Sequence, residues 1–206
     1  MTVTELKREK GHLVRVKFSG FEDVLIDLDV ANGVPIKQGM EISPEKIAEL
    51  KEISDYERAK SRALWYLDRS DRTEKGLYEK LVTAKFDKKA SAKVISRLKE
   101  LGLIDDNRYA KRYAERLIES GISKREIYAK LIIKGISREL AKETVNSFEN
   151  DEKESIKQLI EKKYKNKMTD KNSIAKVYAA LVRKGFSYGD VSDVLRQYRE
   201  ETGEEY

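Results

Sequence analysis

The feature that most restricts what this chain can fold into is an internal repeat. Set beside one another, EKGLYEKLVTAKFD, KREIYAKLIIKGIS and SIAKVYAALVRKGFS align Leu77 with Ile127 and Val177, Tyr78 with Tyr128 and Tyr178, and Leu81 with Leu131 and Leu181. The offset is 50 residues each time, and it holds without a gap through Phe86, Ile136 and Phe186, Ile95, Val145 and Leu195, and Leu98, Phe148 and Tyr198. Apolar positions three and four apart mark helices rather than strands. A unit of this size cannot bury its apolar stripe alone, so its neighbours must stack on it.

The helix starts follow the same register. Thr73, Ser123 and Ser173 can each accept a bond from a free backbone N–H at the start of a middle helix, and Asp87, Ser137 and Ser187 can do so at the start of the next. Ser123 with Glu126 has the pattern of a capping box, and Ile122 with Ile127 that of a hydrophobic staple. Gly135 and Gly185 stand where a left-handed residue ends the middle helix, whereas the first copy has Lys85 there, so its turn is expected to differ. Upstream of each copy lies a further helical stretch: RAKSRALWYLDR, DNRYAKRYAERLIES and KESIKQLIEKKYK. In the 50-residue register these align Leu64 with Ala114 and Tyr164, and Leu67 with Leu117 and Lys167. Three repeats of three helices follow, a mainly α protein expected to form an elongated, curved array. The boundaries read as residues 56–104, 105–150 and 151–206, the last with an acidic tail.

Residues 1–55 have a different pattern. Val14, Val16 and Phe18 alternate with Leu13, Arg15 and Lys17, and after Gly20 the residues Val24, Ile26, Leu28 and Val30 alternate with acidic ones, which predicts a β-hairpin. GVPIKQGMEIS reads as a turn or short strand. Ser43 and Pro44 then open a helix, with Ile42 and Ile47 as its staple.

Composition removes several functions. Without Cys there is no disulfide, thiolate metal site or thiol nucleophile, and His12 is the only histidine in the 206 residues. No phosphate-binding glycine loop with its lysine is present. Asp105 and Asp106 are adjacent, point differently and supply no metal cage; they read as a cap and a dipole partner for the helix that follows, with Ile104 stapled on Tyr109. No cofactor, metal or catalytic residue is expected. The start MTVTELKREKGHLVRV lacks the apolar stretch of a signal peptide, and no run of apolar residues spans a bilayer, so a cytoplasmic protein is the expectation.

Charge is informative in its placement. Residues 1–55 hold 8 basic and 11 acidic side chains, leaving 35 basic against 26 acidic in residues 56–206, and residues 56–104 alone hold 13 against 7. Basic positions recur in columns on the middle helices: Lys75 with Arg125, Lys80 with Lys130, and Lys134 with Lys184. Arg183 lies beside the last, and Arg69 and Arg72 just before the first middle helix. On stacked helices such columns can follow a phosphate backbone or an acidic protein groove, or can be ordinary solvent-facing positions. The tyrosine column at 78, 128 and 178 can stack on bases, but each ring adjoins a core position, and packing on the neighbouring repeat is the expectation. Trp65 likewise reads as core or interface.

The run GLIDDNRYAKRYAERLIESG followed by KREIYAKLIIKGISRELAKETV resembles the central repeat of the RecX family, bacterial regulators of the RecA recombinase. ALWYLDRSDRTEKGLYEKL and VRKGFSYGDVSDVL are similar to its first and third repeats, so the likeness covers about residues 57–198. The strand-rich start is similar to extensions in members from Gram-positive bacteria. The chain departs from the pattern at Ser123, where many members have a second Gly, and at Gly76, where a helix former is usual. The resemblance implies a non-enzymatic, monomeric regulator that binds RecA filaments on single-stranded DNA and opposes ATP hydrolysis, strand exchange and repressor cleavage by altering filament growth or disassembly. Arg108, in the Asp-Asp-Asn-Arg-Tyr motif, reads either as a partner of the Asp pair or as a contact to the filament. A general single-strand or duplex DNA-binding module, or an adaptor for another protein, are the competing readings.

Overall fold

The computed structural model describes residues 1–149, 151–168 and 170–202. Its described residues form a three-stranded sheet and ten α-helices, divided into two compact units, Met1–Asp105 and Asp106–Tyr206. The acidic tail at 203–206 lies outside the described residues.

The first unit opens with an antiparallel sheet of order β1-β2-β3, with β1 at Val3–Glu9, β2 at Leu13–Phe18 and β3 at Phe21–Asp27. The hairpin predicted around Gly20 is present, and Val14, Val16 and Phe18 are buried as their alternation requires. Strand β1 goes unannounced in the sequence, because between Val3 and Glu9 only Val3 is buried. The alternation expected to run on through Leu28 and Val30 stops at Asp27. The Asp27 side chain accepts the Asp29 N–H at 3.0 Å and starts a short helix, α1, at Leu28–Gly33. The sheet closes its core with Ile36, Ile42, Ile47 and Leu50.

Helix α2, Pro44–Arg69, is 26 residues long and runs through residue 55 without a break. Ser43 Oγ accepts the Lys46 N–H at 3.2 Å, and Pro44 fixes the first turn as expected. After Pro44 the helix contains no Gly or Pro to stop it, so one rod serves two cores. Its first half lays Ile47 and Leu50 on the sheet, where Ser54 Oγ also takes the Asp27 N–H at 2.6 Å. Its second half lays Ala59 and Ala63 against α3, Glu74–Thr83, and α4, Lys88–Glu100. Glu52 accepts Lys93 and Lys89 across α2 and α4 and is held below the usual carboxylate range by them, Lys93 first.

The second unit holds α5 at Asp106–Glu119, α6 at Lys124–Ile133 and α7 at Arg138–Asn146, then α8 at Glu152–Leu159, α9 at Lys171–Arg183 and α10 at Tyr188–Thr202. The repeat register of the middle and last helices holds: Leu77, Ile127 and Val177 are buried, as are Leu81, Leu131 and Leu181. Burying one such aliphatic side chain is worth roughly 1.5–3 kcal/mol, so these columns account for much of each core. Tyr78, Tyr128 and Tyr178 are half-buried and each packs on the core of its own repeat.

The register of the first helices is different. Leu64 is 40% exposed, whereas Ala114 is buried. The residues in α2 that match Ala110 and Ala114 in packing are Ala59 and Ala63, one position out of the 50-residue register. The cause lies in how these helices end. Helix α2 leaves through an extended Ser70, with φ −169°, while the second copy turns through left-handed Gly121, with φ +70°. In the third copy the first helix passes from α8 into a π-helical turn at Ile160–Tyr164 and a 3-10 turn at Lys165–Lys167 that leaves Lys167 exposed.

Most caps stand where the register placed them. Thr73, Asp87, Ser123, Ser137 and Ser187 each accept a backbone N–H three residues on. The exception is Ser173. Helix α9 starts earlier, capped by Asp170, and Ser173 is its third residue, closing a capping box from inside the helix. The turn after α3 is not different after all. Lys85 takes φ +67° where Gly135 and Gly185 take +90° and +92°, and the backbone bonds are the same, Phe86 N–H to Leu81 O and Ile136 N–H to Leu131 O.

Candidate nucleic-acid interface

The second and third repeats meet through a clasp of named bonds. The Ser123 N–H does not close a capping box with Glu126; it donates to the Lys184 carbonyl at 3.0 Å, and Glu126 pairs with Lys130 at 3.0 Å. Lys184 Nζ donates to the Ser120 carbonyl at 3.0 Å. At the next residue, Glu152 Oε1 accepts the Lys124 N–H at 2.8 Å, while Lys124 Nζ reaches the Phe148 carbonyl at 2.6 Å. Side chains crowd Gly121 and Gly185: a Cβ at the first would overlap Leu159, and at the second Ser123 Oγ and Glu126 Cβ. Burial pushes the Lys184 ammonium below the usual lysine value, and the Lys163 charge adds to it. Burial also raises the Glu152 carboxyl, against the bond from Lys124. Lys184 is therefore occupied within the protein, by the third-to-second-repeat bond to Ser120.

The remaining basic residues fall into two groups. In the first unit, Arg69 lies over Trp65, its Cζ 3.5 Å from the ring centroid, and donates to the Trp65 carbonyl at 3.0 Å. Arg62 Cζ lies 5.2 Å from the same ring, and Tyr66 meets it edge-on at 5.3 Å. Lys80, on α3, reaches over Tyr66 at 5.3 Å. Arg72 is half-buried, with Nε shielded from solvent and without a hydrogen-bond partner, and Lys75 faces Glu79 at 3.8 Å. In the second unit, Lys134 lies over Tyr113 at 5.9 Å and Arg116 over the same ring at 5.2 Å, with Tyr109 stacked beside it at 5.8 Å. Arg125 and Arg183 are exposed on α6 and α9, and Arg108 is exposed on the first turn of α5.

The columns are thus broken up by local partners. Lys130 is neutralised by Glu126 and Lys184 is turned inward, whereas Lys80 and Lys134 each cap an aromatic ring contributed by the first helix of their repeat. Sequence reasoning missed Arg62, Trp65, Tyr66, Tyr113 and Arg116 as a set. The available signal was Arg62, Trp65 and Arg69 at helical spacing, which puts both guanidinium groups on the face of the indole. Trp65 lies outside the core, 45% exposed, with Arg69 laid over its ring. His12, Asp27 and Asp29 also approach one another within 4.8 Å, but Asp27 is the cap of α1 and His12 pairs with Asp29 at 3.2 Å, which accounts for the cluster. No helix among the described residues is long and apolar enough to cross a membrane.

Comparison with known proteins gives this architecture its relatives. Family profiles described as the first, second and third three-helix domains of RecX match residues 59–98, 105–145 and 150–195. A regulatory protein RecX from Clostridium tetani is 33% identical over 79% of this chain and 77% of its own length. One from Clostridium beijerinckii is 30% identical over 96% and 94%. The crystal structure of RecX from Lactobacillus salivarius is 26% identical, with a TM-score of 0.59 over 69% of this chain and 96% of that one. A second RecX crystal structure, at 23% identity and TM-score 0.63 over 95% of this chain and 98% of that one, shares the fold. With the three domains in order and these relatives matched over most of both chains, the protein belongs to the RecX family of regulatory proteins.

Proposed function

We propose that the protein binds RecA filaments on single-stranded DNA and lowers their ATPase, strand-exchange and coprotease activities, by blocking filament growth or promoting disassembly. The observation that carries this reading is the ordered set of three three-helix domains. A repeat protein can touch several filament protomers, and many modest contacts raise its effective concentration there. It does so without catalysis of its own, as a monomer, in the cytoplasm, and in the setting of DNA recombination, repair and the SOS response. Arg69, Arg72, Lys75, Lys80, Arg108, Arg125, Lys130, Lys134 and Arg183 supply the contacts, and Lys184 supports them by holding the second and third repeats together.

The test is a titration of the DNA-dependent ATPase of the RecA from the same organism, at two salt concentrations. Substoichiometric protein should lower the rate, less so at high salt. Unchanged ATPase and filament length at saturation would reject the reading. Reversing the charge of Lys80, Lys130, Lys134 and Arg183 should abolish the effect while the fold stays intact; full retention would move the contact elsewhere. The second reading, a DNA-binding helical module, is favoured by the exposed cation–aromatic groups and would show as binding to naked DNA without any effect on the recombinase.

A further inference from the structure

The cluster around Trp65 has a chemistry that a merely basic surface lacks. Arg62 stands three residues before the indole and Arg69 four after it, so both guanidinium groups reach the ring from successive turns of one helix face. The Arg69 plane is held there by its bond to the Trp65 carbonyl. Tyr66 abuts the indole edge-on, and Lys80 overhangs Tyr66 from the next helix. Neither the second nor the third repeat carries a Trp: the positions 50 and 100 residues on are Glu115 and Lys165. The indole is therefore particular to the first repeat, where the excess of basic over acidic residues is also largest, whereas the second repeat's rings are the tyrosines Tyr109 and Tyr113.

From this geometry we infer a site for an unpaired base of a single-stranded polynucleotide, the base stacking on the Trp65–Arg69 pile while Arg62, Arg69 and Lys80 meet the flanking phosphates. A cationic ligand is excluded, because guanidinium groups already occupy the neighbourhood of the ring. An apolar peptide would have to displace two charged side chains from the indole. An acidic protein face would engage the cations and gain nothing from the ring. A base with its phosphates uses both, since base–aromatic stacking and cation–π contact act together in single-strand binding. Asp68, exposed on the same stretch of helix, disfavours a purely charge-driven fit and leaves stacking as the discriminating contribution. The inference deepens the filament reading and rests on it for its setting, but the site itself is defined by naked strand.

Trp65 is the only tryptophan in the chain, so its fluorescence reports on this site alone. Titrating the full chain with oligothymidylate should quench that emission saturably. Trp65→Ala should weaken binding about tenfold, the loss of one stacked base, while Trp65→Phe keeps most of the affinity. Arg62→Gln with Arg69→Gln should weaken binding and flatten its salt dependence. A blunt duplex of equal charge should bind without the quench. The site is overturned if oligothymidylate binds without changing Trp65 emission, if Trp65→Ala binds with full affinity, or if polyglutamate quenches and competes as well as the oligonucleotide. ATPase inhibition by wild-type protein that shows no quench would sink the site and leave the filament reading standing; quenching without any ATPase effect would do the reverse.

Discussion

Val94, Thr144 and Val194 occupy one register position in the three repeats, and all are buried. The Thr144 hydroxyl finds no hydrogen-bond partner there. A buried hydroxyl left unsatisfied costs on the order of 1–3 kcal/mol, and Val has nearly the same shape. Thr144→Val should therefore raise the denaturation midpoint by about 1 kcal/mol in stability; a lowered midpoint would show that the hydroxyl has a use. The left-handed turn at Lys85 sets a second test. A residue with a Cβ is disfavoured in that region by about 1–2 kcal/mol, so Lys85→Gly should stabilise and Gly185→Ala should destabilise, the latter further because its new Cβ meets Ser123 and Glu126. Equal stability of all three proteins under denaturant would contradict this. Caps such as Thr73 and Ser137 were legible in the sequence because a cap is a local bond. Ser173 was misplaced because Asp170 competes for the same turn and wins with two backbone N–H bonds, from Asn172 and Ser173. Lys85 was misread because the chain has to turn there whatever residue is present.

Whole elements depend on partners distant in sequence, and here the sequence alone says less. The capping box expected at Ser123 is half formed because its N–H goes to Lys184, 61 residues away in the chain. The first helices of the repeats slip by one residue because α2 ends on an extended Ser70 and α5 on Gly121. The joint between the second and third repeats should accordingly be sensitive at its glycine. Gly121→Ala places a Cβ into Leu159 at a left-handed residue, and a loss of about 2 kcal/mol or more is expected; an unchanged midpoint would mean that the repeats part there without cost. Glu152 adds a pH dependence to the same joint. Burial raises its folded pKa above the ordinary 4.5, so the folded state holds the proton more tightly than the unfolded chain. The contribution of Glu152 to stability is then greatest below the ordinary value and falls as pH rises from there through the folded pKa. Glu152→Gln keeps an acceptor for the Lys124 N–H and should flatten that decline. Parallel pH profiles for the two proteins would refute the assignment.

Across the molecule, the repeat made the helical architecture legible, while the basic columns are broken up by partners that the register does not show. Residues at equal register have unequal surroundings: Lys134 overlies Tyr113, whereas Lys184 is drawn to Ser120. Which cation is available to a partner depends on the carbonyl or ring beside it, and these come from helices far apart in sequence. Trp65 reads in the sequence as core or interface, yet the one-residue slip of α2 turns Ala63 inward and leaves the indole at the surface. We propose that this scaffold of three three-helix domains carries a binding surface that acts on the recombinase. The most direct measurement is co-sedimentation with RecA filaments assembled on single-stranded DNA, compared with the same DNA alone. The protein should pellet with filaments at concentrations where naked strand retains little of it, and should shorten or destabilise them in proportion to occupancy. Equal retention by filament and naked strand, with filament length unchanged, would contradict the account.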